Sequence, residues 1–177
     1  RDLGKFHVVT ATNVFAHIAD IHDTMWGIKA VLREDGIFVT ESTYWADTLA
    51  KTQYDTIYHE HLRYYTLTSL AYLLDLYGLR PFHVKQIPTM GGSIRVYASY
   101  ERWPDDTVAQ MLADERKLSE NGFGKRVLQS KTDLLAMLPP HTYGIGAASR
   151  STTLITYTGI DLACVCEIAG SDKIGKV

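Results

Sequence analysis

Phe6-His7-Val8-Val9-Thr10-Ala11 and Ile37-Phe38-Val39-Thr40-Glu41-Ser42 are the two runs that decide the fold of this chain. Both are short, apolar and rich in β-branched residues, as expected of strands buried in a parallel sheet. Between them Ile21, Met25, Ile28, Val31 and Leu32 recur at helical spacing. Asp20 is placed to cap that helix, Asp23 stands three residues later, and Gly36 follows its end. Strand, helix and strand with short joints form a βαβ unit, which implies a parallel sheet with a right-handed crossover.

Outward from this unit, residues 43–65 are aromatic and polar, with a helix expected near 46–53. Leu67, Leu70, Leu73, Leu74 and Tyr77 predict an amphipathic helix stopped by Gly78. Phe82, Val84 and Ile87 predict a strand; Ile94, Val96, Ala98 and Tyr100 alternate with Arg95, Tyr97 and Ser99 to predict another. The short joint at 88–92 makes the last two an antiparallel hairpin. Strands are therefore expected near 5–11, 36–41, 80–87 and 93–100. Trp103-Pro104-Asp105-Asp106 marks a boundary, and helical patterns follow at 108–118 and 127–138. Tyr143 to Ser149 reads as a strand turning into a helix that Gly159 ends, and 162–168 as a strand. The expected class is α/β, with one domain over 1–101 and a small Rossmann-like βαβ module over 102–177.

Composition excludes several functions. The 177 residues are 46% hydrophobic and 21% charged, enough for a buried core. A formal charge of −2 gives no reason to expect nucleic acid or an anionic membrane as partner. No run of about 18 apolar residues and no basic-then-apolar leader stand in the sequence, so a cytoplasmic protein is expected. Cys164 and Cys166 share one face of a strand, and two thiols make a poor zinc site. The abrupt opening at Arg1-Asp2-Leu3-Gly4 and the equally abrupt end at Lys176-Val177 suggest a piece of a longer protein.

The densest chemistry lies in Tyr54-Asp55-Thr56-Ile57-Tyr58-His59-Glu60-His61-Leu62-Arg63-Tyr64-Tyr65, just past the carboxyl end of a parallel strand. In open α/β sheets that edge is where ligands sit. Histidine titrates near neutral pH and a neighbouring carboxylate tunes it, so general acid–base work is one reading. A polar loop held by aromatic stacking is the other; a metal site lacks a third ligand at a recognised spacing. His17, in Thr12-Asn13-Val14-Phe15-Ala16-His17, follows the neighbouring strand and points to the same edge, although a lone histidine there also serves as a helix-entry residue. Gly144-x-Gly146-x-x-Ser149, with Arg150 next and Glu167 after the following strand, resembles a dinucleotide fingerprint whose last glycine is replaced. Its firmer content is that free N–H groups at a helix N-terminus attract phosphate. Met90-Gly91-Gly92-Ser93 with Arg95 is a similar case, equally compatible with a turn that binds nothing.

Four segments stand in a recognisable order: Asn13-Val14-Phe15-Ala16-His17-Ile18-Ala19-Asp20, Tyr54 to His61, Gly91-Gly92-Ser93-Ile94-Arg95, and Gly144 to Arg150. Together they are similar to the sugar C-methyltransferases that methylate C-3 of thymidine-diphosphate-linked 4-keto-deoxysugars. The resemblance implies a class I methyltransferase domain, here beginning at its fourth strand, followed by a nucleotide-sugar module. S-adenosyl-L-methionine is the implied cofactor, and zinc belongs to an N-terminal module that this sequence lacks. The glycine-rich cofactor loop is also missing, so weak S-adenosylmethionine binding by this chain alone is expected. The resemblance makes His61 the base, with Glu60, Tyr58 and His17 beside it, and lays Asn13 and Phe15 along the methyl donor. Ser93, Arg95, Gly146, Ser149 and Arg150 would bind the nucleotide sugar. Arg150 and Glu167 replace the Lys and Asp usual in the family, which leaves phosphate binding in place and puts sugar preference in doubt. Two other functions compete: a non-catalytic nucleotide-sugar-binding module, and an NAD(P)-dependent oxidoreductase suggested by Gly144-x-Gly146 and Glu167.

Overall fold

The computed structural model describes residues 4–139, 142–145, 148–160 and 162–166, the last as backbone alone. Its elements are β1 (Phe6–Thr12), α1 (Ile21–Val31), β2 (Leu32–Thr43), α2 (Trp45–Ala50), α3 (Leu67–Asp75), β3 (Arg80–Ile87), β4 (Ser93–Ser99), α4 (Asp106–Glu115), α5 (Phe123–Met137), β5 (Thr142–Ile145), α6 (Ser149–Thr158) and β6 (Leu162–Cys166). The class is α/β, as the alternation of strand and helix patterns implied. Packing divides the chain into two compact units, one of residues 1–50 and 62–119, the other of residues 51–61 and 120–177.

In the first unit a four-stranded sheet runs in the order β1-β2-β4-β3. β1 and β2 are parallel, and β4 is antiparallel to both β2 and β3, as expected of a βαβ unit followed by a hairpin. Asp20 caps α1 by accepting from the Asp23 N–H at 3.0 Å, while Ile21, Met25 and Ile28 are buried. Thr66 and Ser69 form a reciprocal capping box on α3, whose Leu67, Leu70, Leu73 and Leu74 face the core. Phe15, Phe38, Ile94 and Val96 complete that core with no exposed surface. Each such side chain contributes roughly 1.5–3 kcal/mol relative to exposure.

Two local expectations change. α1 ends at Val31, and Leu32 already pairs with Phe6. The register then jumps to Val8 opposite Ile37, so residues 33–36 bulge from the ladder. Gly36 closes that bulge, where a Cβ would lie 2.8 Å from Leu32 Cδ1 and 2.9 Å from Arg33 O. β1 lies at the edge of the sheet that these residues form, with Phe6 and Val8 43% and 55% exposed. α4 packs against β3 in the first unit, tied by the Thr107 hydroxyl accepting from Val84 N–H and by His83 on Asp105.

The second unit contains the smaller βαβ element. β5 and β6 are parallel, joined through α6, and Gly159 in the left-handed region ends that helix. Val127 of α5 is buried, and Lys131 of the same helix donates to Tyr157 O on α6 at 2.9 Å. Residues 51–61 belong to this unit although they precede most of it in sequence.

Candidate active site

Backbone chemistry first gives residues 51–61 their shape. Thr56 N–H donates to Gln53 O, Ile57 N–H to Tyr54 O, and His61 N–H to Tyr58 O, so the segment folds as successive tight turns. The last of these brings the side chains of Tyr58 and His61 onto one another, with ring centroids 4.3 Å apart. His61 Nδ1 lies 2.9 Å from Thr56 O. A carbonyl only accepts, so Nδ1 carries the proton and Nε2 is left as the basic nitrogen. The Tyr58 hydroxyl donates to that Nε2 at 3.1 Å. Burial, reinforced by the Glu60 charge and opposed by Arg150, raises the Tyr58 phenol above its ordinary pKa and keeps it a donor at neutral pH.

Helix α6 holds this segment from one side. Arg150 forms a fork on Asp55, Nε to Oδ2 at 2.8 Å and Nη2 to Oδ1 at 2.9 Å. Ser149 Oγ donates to Glu60 Oε1 at 3.1 Å, and Thr153 Oγ1 to Ile57 O at 2.9 Å. Tyr157 packs edge-on against Tyr54 with centroids 5.3 Å apart. A cavity of about 300 Å³ opens between the segment and the helix, lined by Tyr58, His59, Thr152, Thr153, Thr156 and Tyr157. His59 itself is 77% exposed and 3.8 Å from Glu60.

Tyr58, Glu60, His61, Ser149 and Arg150 are thus gathered in the second unit, and Asp55 and Thr153 join them. The sequence had shown Asp55 only as one ionisable residue among many. Its partner lies 95 positions away, and no local pattern pairs them. Gly146 and Glu167 lie outside the described residues.

The remaining candidates lie in the first unit. Asn13 follows β1 in the left-handed conformation, φ 54°, and its N–H donates to Glu41 O at 2.9 Å. That bond fixes the Asn13 backbone at the carboxyl edge of the parallel pair. Phe15 does not offer a face to one: it is fully buried, stacked 5.8 Å from Phe38. Its part is to fix the turn that presents Asn13 and the exposed His17. Ser93 is fully buried and donates to Thr89 O at 3.1 Å. Arg95 spends Nε and Nη2 on Glu41 Oε2, at 3.0 and 2.8 Å, and that bond raises its pKa. Both close the β3–β4 hairpin against β2. Among the described residues no three His, Cys, Asp or Glu side chains stand together as a metal site. No helix among them is long and apolar enough to cross a membrane.

Residues 2–84, which include the parallel pair, match the family described as a methyltransferase domain. Residues 88–177 match the C-methyltransferase C-terminal domain. The chain therefore belongs to the C-methyltransferase family. It is 42% identical over 118 residues to the C-methyltransferase NovU of Streptomyces niveus, covering 64% of this chain. It spans only 28% of the length of that relative. Among solved structures, a chain of a Haloferax volcanii complex containing the Trm112 methyltransferase activator gives a TM-score of 0.45 at 15% identity, covering 57% of this chain and 55% of that one.

Proposed function

We propose that this chain carries the proton-transfer part of an S-adenosylmethionine-dependent C-methyltransferase that acts on a nucleotide-linked keto-deoxysugar. The observation that supports it most is the His61 Nδ1–H bond to Thr56 O, which makes Nε2 the nitrogen that accepts a proton. Bound S-adenosylmethionine supplies an electrophilic sulfonium methyl. The chain's own residues make the sugar carbon nucleophilic. His61 Nε2 removes the proton α to the ketone, and the electron pair of that C–H bond delocalises onto the ketone oxygen. The Tyr58 hydroxyl turns from Nε2 to that oxygen as its charge grows, since a donor aimed at developing charge lowers the barrier. His17 assists in placing the substrate, and Asn13 holds a polar group of the methyl donor. Residues 120–177 carry the nucleotide-sugar module, although Ser93 and Arg95 are committed to the hairpin.

The test is His61→Asn in the full-length protein, with methyl transfer and solvent-deuterium washout at the α carbon both measured. Turnover should fall roughly 10²- to 10⁴-fold, the range of a lost general base. Washout should fall with it while nucleotide-sugar affinity stays within a few-fold. Normal washout in that variant would place the base elsewhere.

A further inference from the structure

Arg150 stands beside the N-terminus of α6, where the sequence suggests a phosphate ligand. Its actual surroundings are acidic. The fork on Asp55 occupies Nε and Nη2, and Ser149, first residue of the helix, donates to Glu60. Two carboxylates from residues 51–61 therefore meet the positive end of the helix dipole. An incoming phosphate would meet like charge there, and it would have to displace a bidentate charge-assisted pair.

The contacts also follow the geometry of the helix. Ser149, Thr153 and Tyr157 are spaced four apart and share one face of α6, with Arg150 beside them. They reach Glu60, Ile57, Tyr54 and Asp55 in turn. Four residues of the segment are thus fixed from the same helix, while its internal turns run from Gln53 to His61. Among the described residues the Asp55–Arg150 fork is its one bidentate ionic tie, and Asp55 immediately precedes Thr56, whose carbonyl sets the His61 tautomer.

We propose that Asp55 and Arg150 form a latch that positions His61 for proton abstraction, and that Arg150 is a positioning residue, not a phosphate ligand. The inference rests on the reading of His61 as the base. It adds that the nucleotide-sugar module holds the catalytic segment as well as any substrate.

The experiment compares Asp55→Asn, Arg150→Ala, the double variant and Arg150→Lys in the full-length protein. Both single neutralisations should lower kcat roughly 10²-fold, the cost of an ångström-scale misplacement, with the nucleotide-sugar KM changing less than about threefold. The double variant should be little worse than either single, because one interaction is lost in all three. Arg150→Lys, which keeps the charge but not the fork, should fall between wild type and Arg150→Ala and guards against a folding defect. A phosphate role predicts the opposite: Arg150→Ala raises KM, and Asp55→Asn frees the guanidinium and lowers KM. That pattern, or unchanged kcat in Asp55→Asn, overturns the latch. Imidazole nitrogen resonances of His61 separate this from failure of the base assignment. The latch predicts that Asp55→Asn loses the Nδ1–H tautomer whether or not His61→Asn abolishes washout; a retained tautomer also overturns it.

Discussion

Glu115 shows how far a single residue can act from its own element. Only 8% exposed, it brings a carboxylate from the end of α4 to the first turn of α3. There it accepts from Leu67 N–H at 2.5 Å, Thr68 N–H at 2.8 Å and the Thr68 hydroxyl at 2.5 Å. These donors are orphaned by helix geometry, and a negative charge at that end also meets the dipole. Glu115→Ala strands them in a nearly closed site, so denaturant unfolding should show a loss of about 2–3 kcal/mol. A loss below about 0.5 kcal/mol would mean that water replaces the carboxylate at no cost. Nothing in the sequence announced this residue. Glutamate near a helix end is ordinary, and its value comes from a partner 48 positions away. The same limit hid the contact of Asp55 with Arg150, whereas Tyr58 and His61 were singled out by the dense ionisable run and the family resemblance, and they lie three residues apart.

At the scale of elements, the strands and the hairpin were readable because period and turn chemistry are local. Ser93 to Ser99 alternates and pairs on both sides, and the joint before it is short. α4 was placed after the boundary by the Trp-Pro-Asp-Asp punctuation, yet its packing on β3 depends on tertiary contacts that punctuation does not report. The β3–β4 turn has a sharper requirement. Gly92 has φ +137°, and a Cβ there would lie 1.9 Å from Asp47 Oδ2, which accepts from Gln86. Its carbonyl accepts from Tyr44 N–H at 3.0 Å, so the turn cannot retreat without breaking the start of α2. Gly92→Ala combines a strained backbone with a clash and should cost about 2 kcal/mol or more. Equilibrium unfolding decides it; wild-type stability in the variant would show that the turn relaxes freely.

For the molecule as a whole, buried phenols set an alkaline limit. Tyr44, Tyr65 and Tyr100 of the first unit all have pKa values raised, burial being the largest cause in each, with Glu115 next for Tyr44. The folded state holds these protons more tightly than the unfolded chain. Stability from this source is complete below the unfolded value near pH 10, then declines as pH rises through the folded values. Far-ultraviolet dichroism and tyrosinate absorbance should therefore change together above about pH 10. Full tyrosine ionisation with the dichroism intact would refute the burial argument.

The second unit is assembled from two stretches of sequence, 51–61 and 120–177, with most of the first unit written between them. That arrangement has a consequence for recombination and for synthesis on the ribosome. A chimera made by one crossover near residue 120 would join one parent's Asp55 and Ile57 to another parent's Arg150 and Thr153, so a clean exchange needs two crossovers. During translation, the histidine segment emerges some ninety residues before the helix that clasps it, and it waits unclasped until that helix is made.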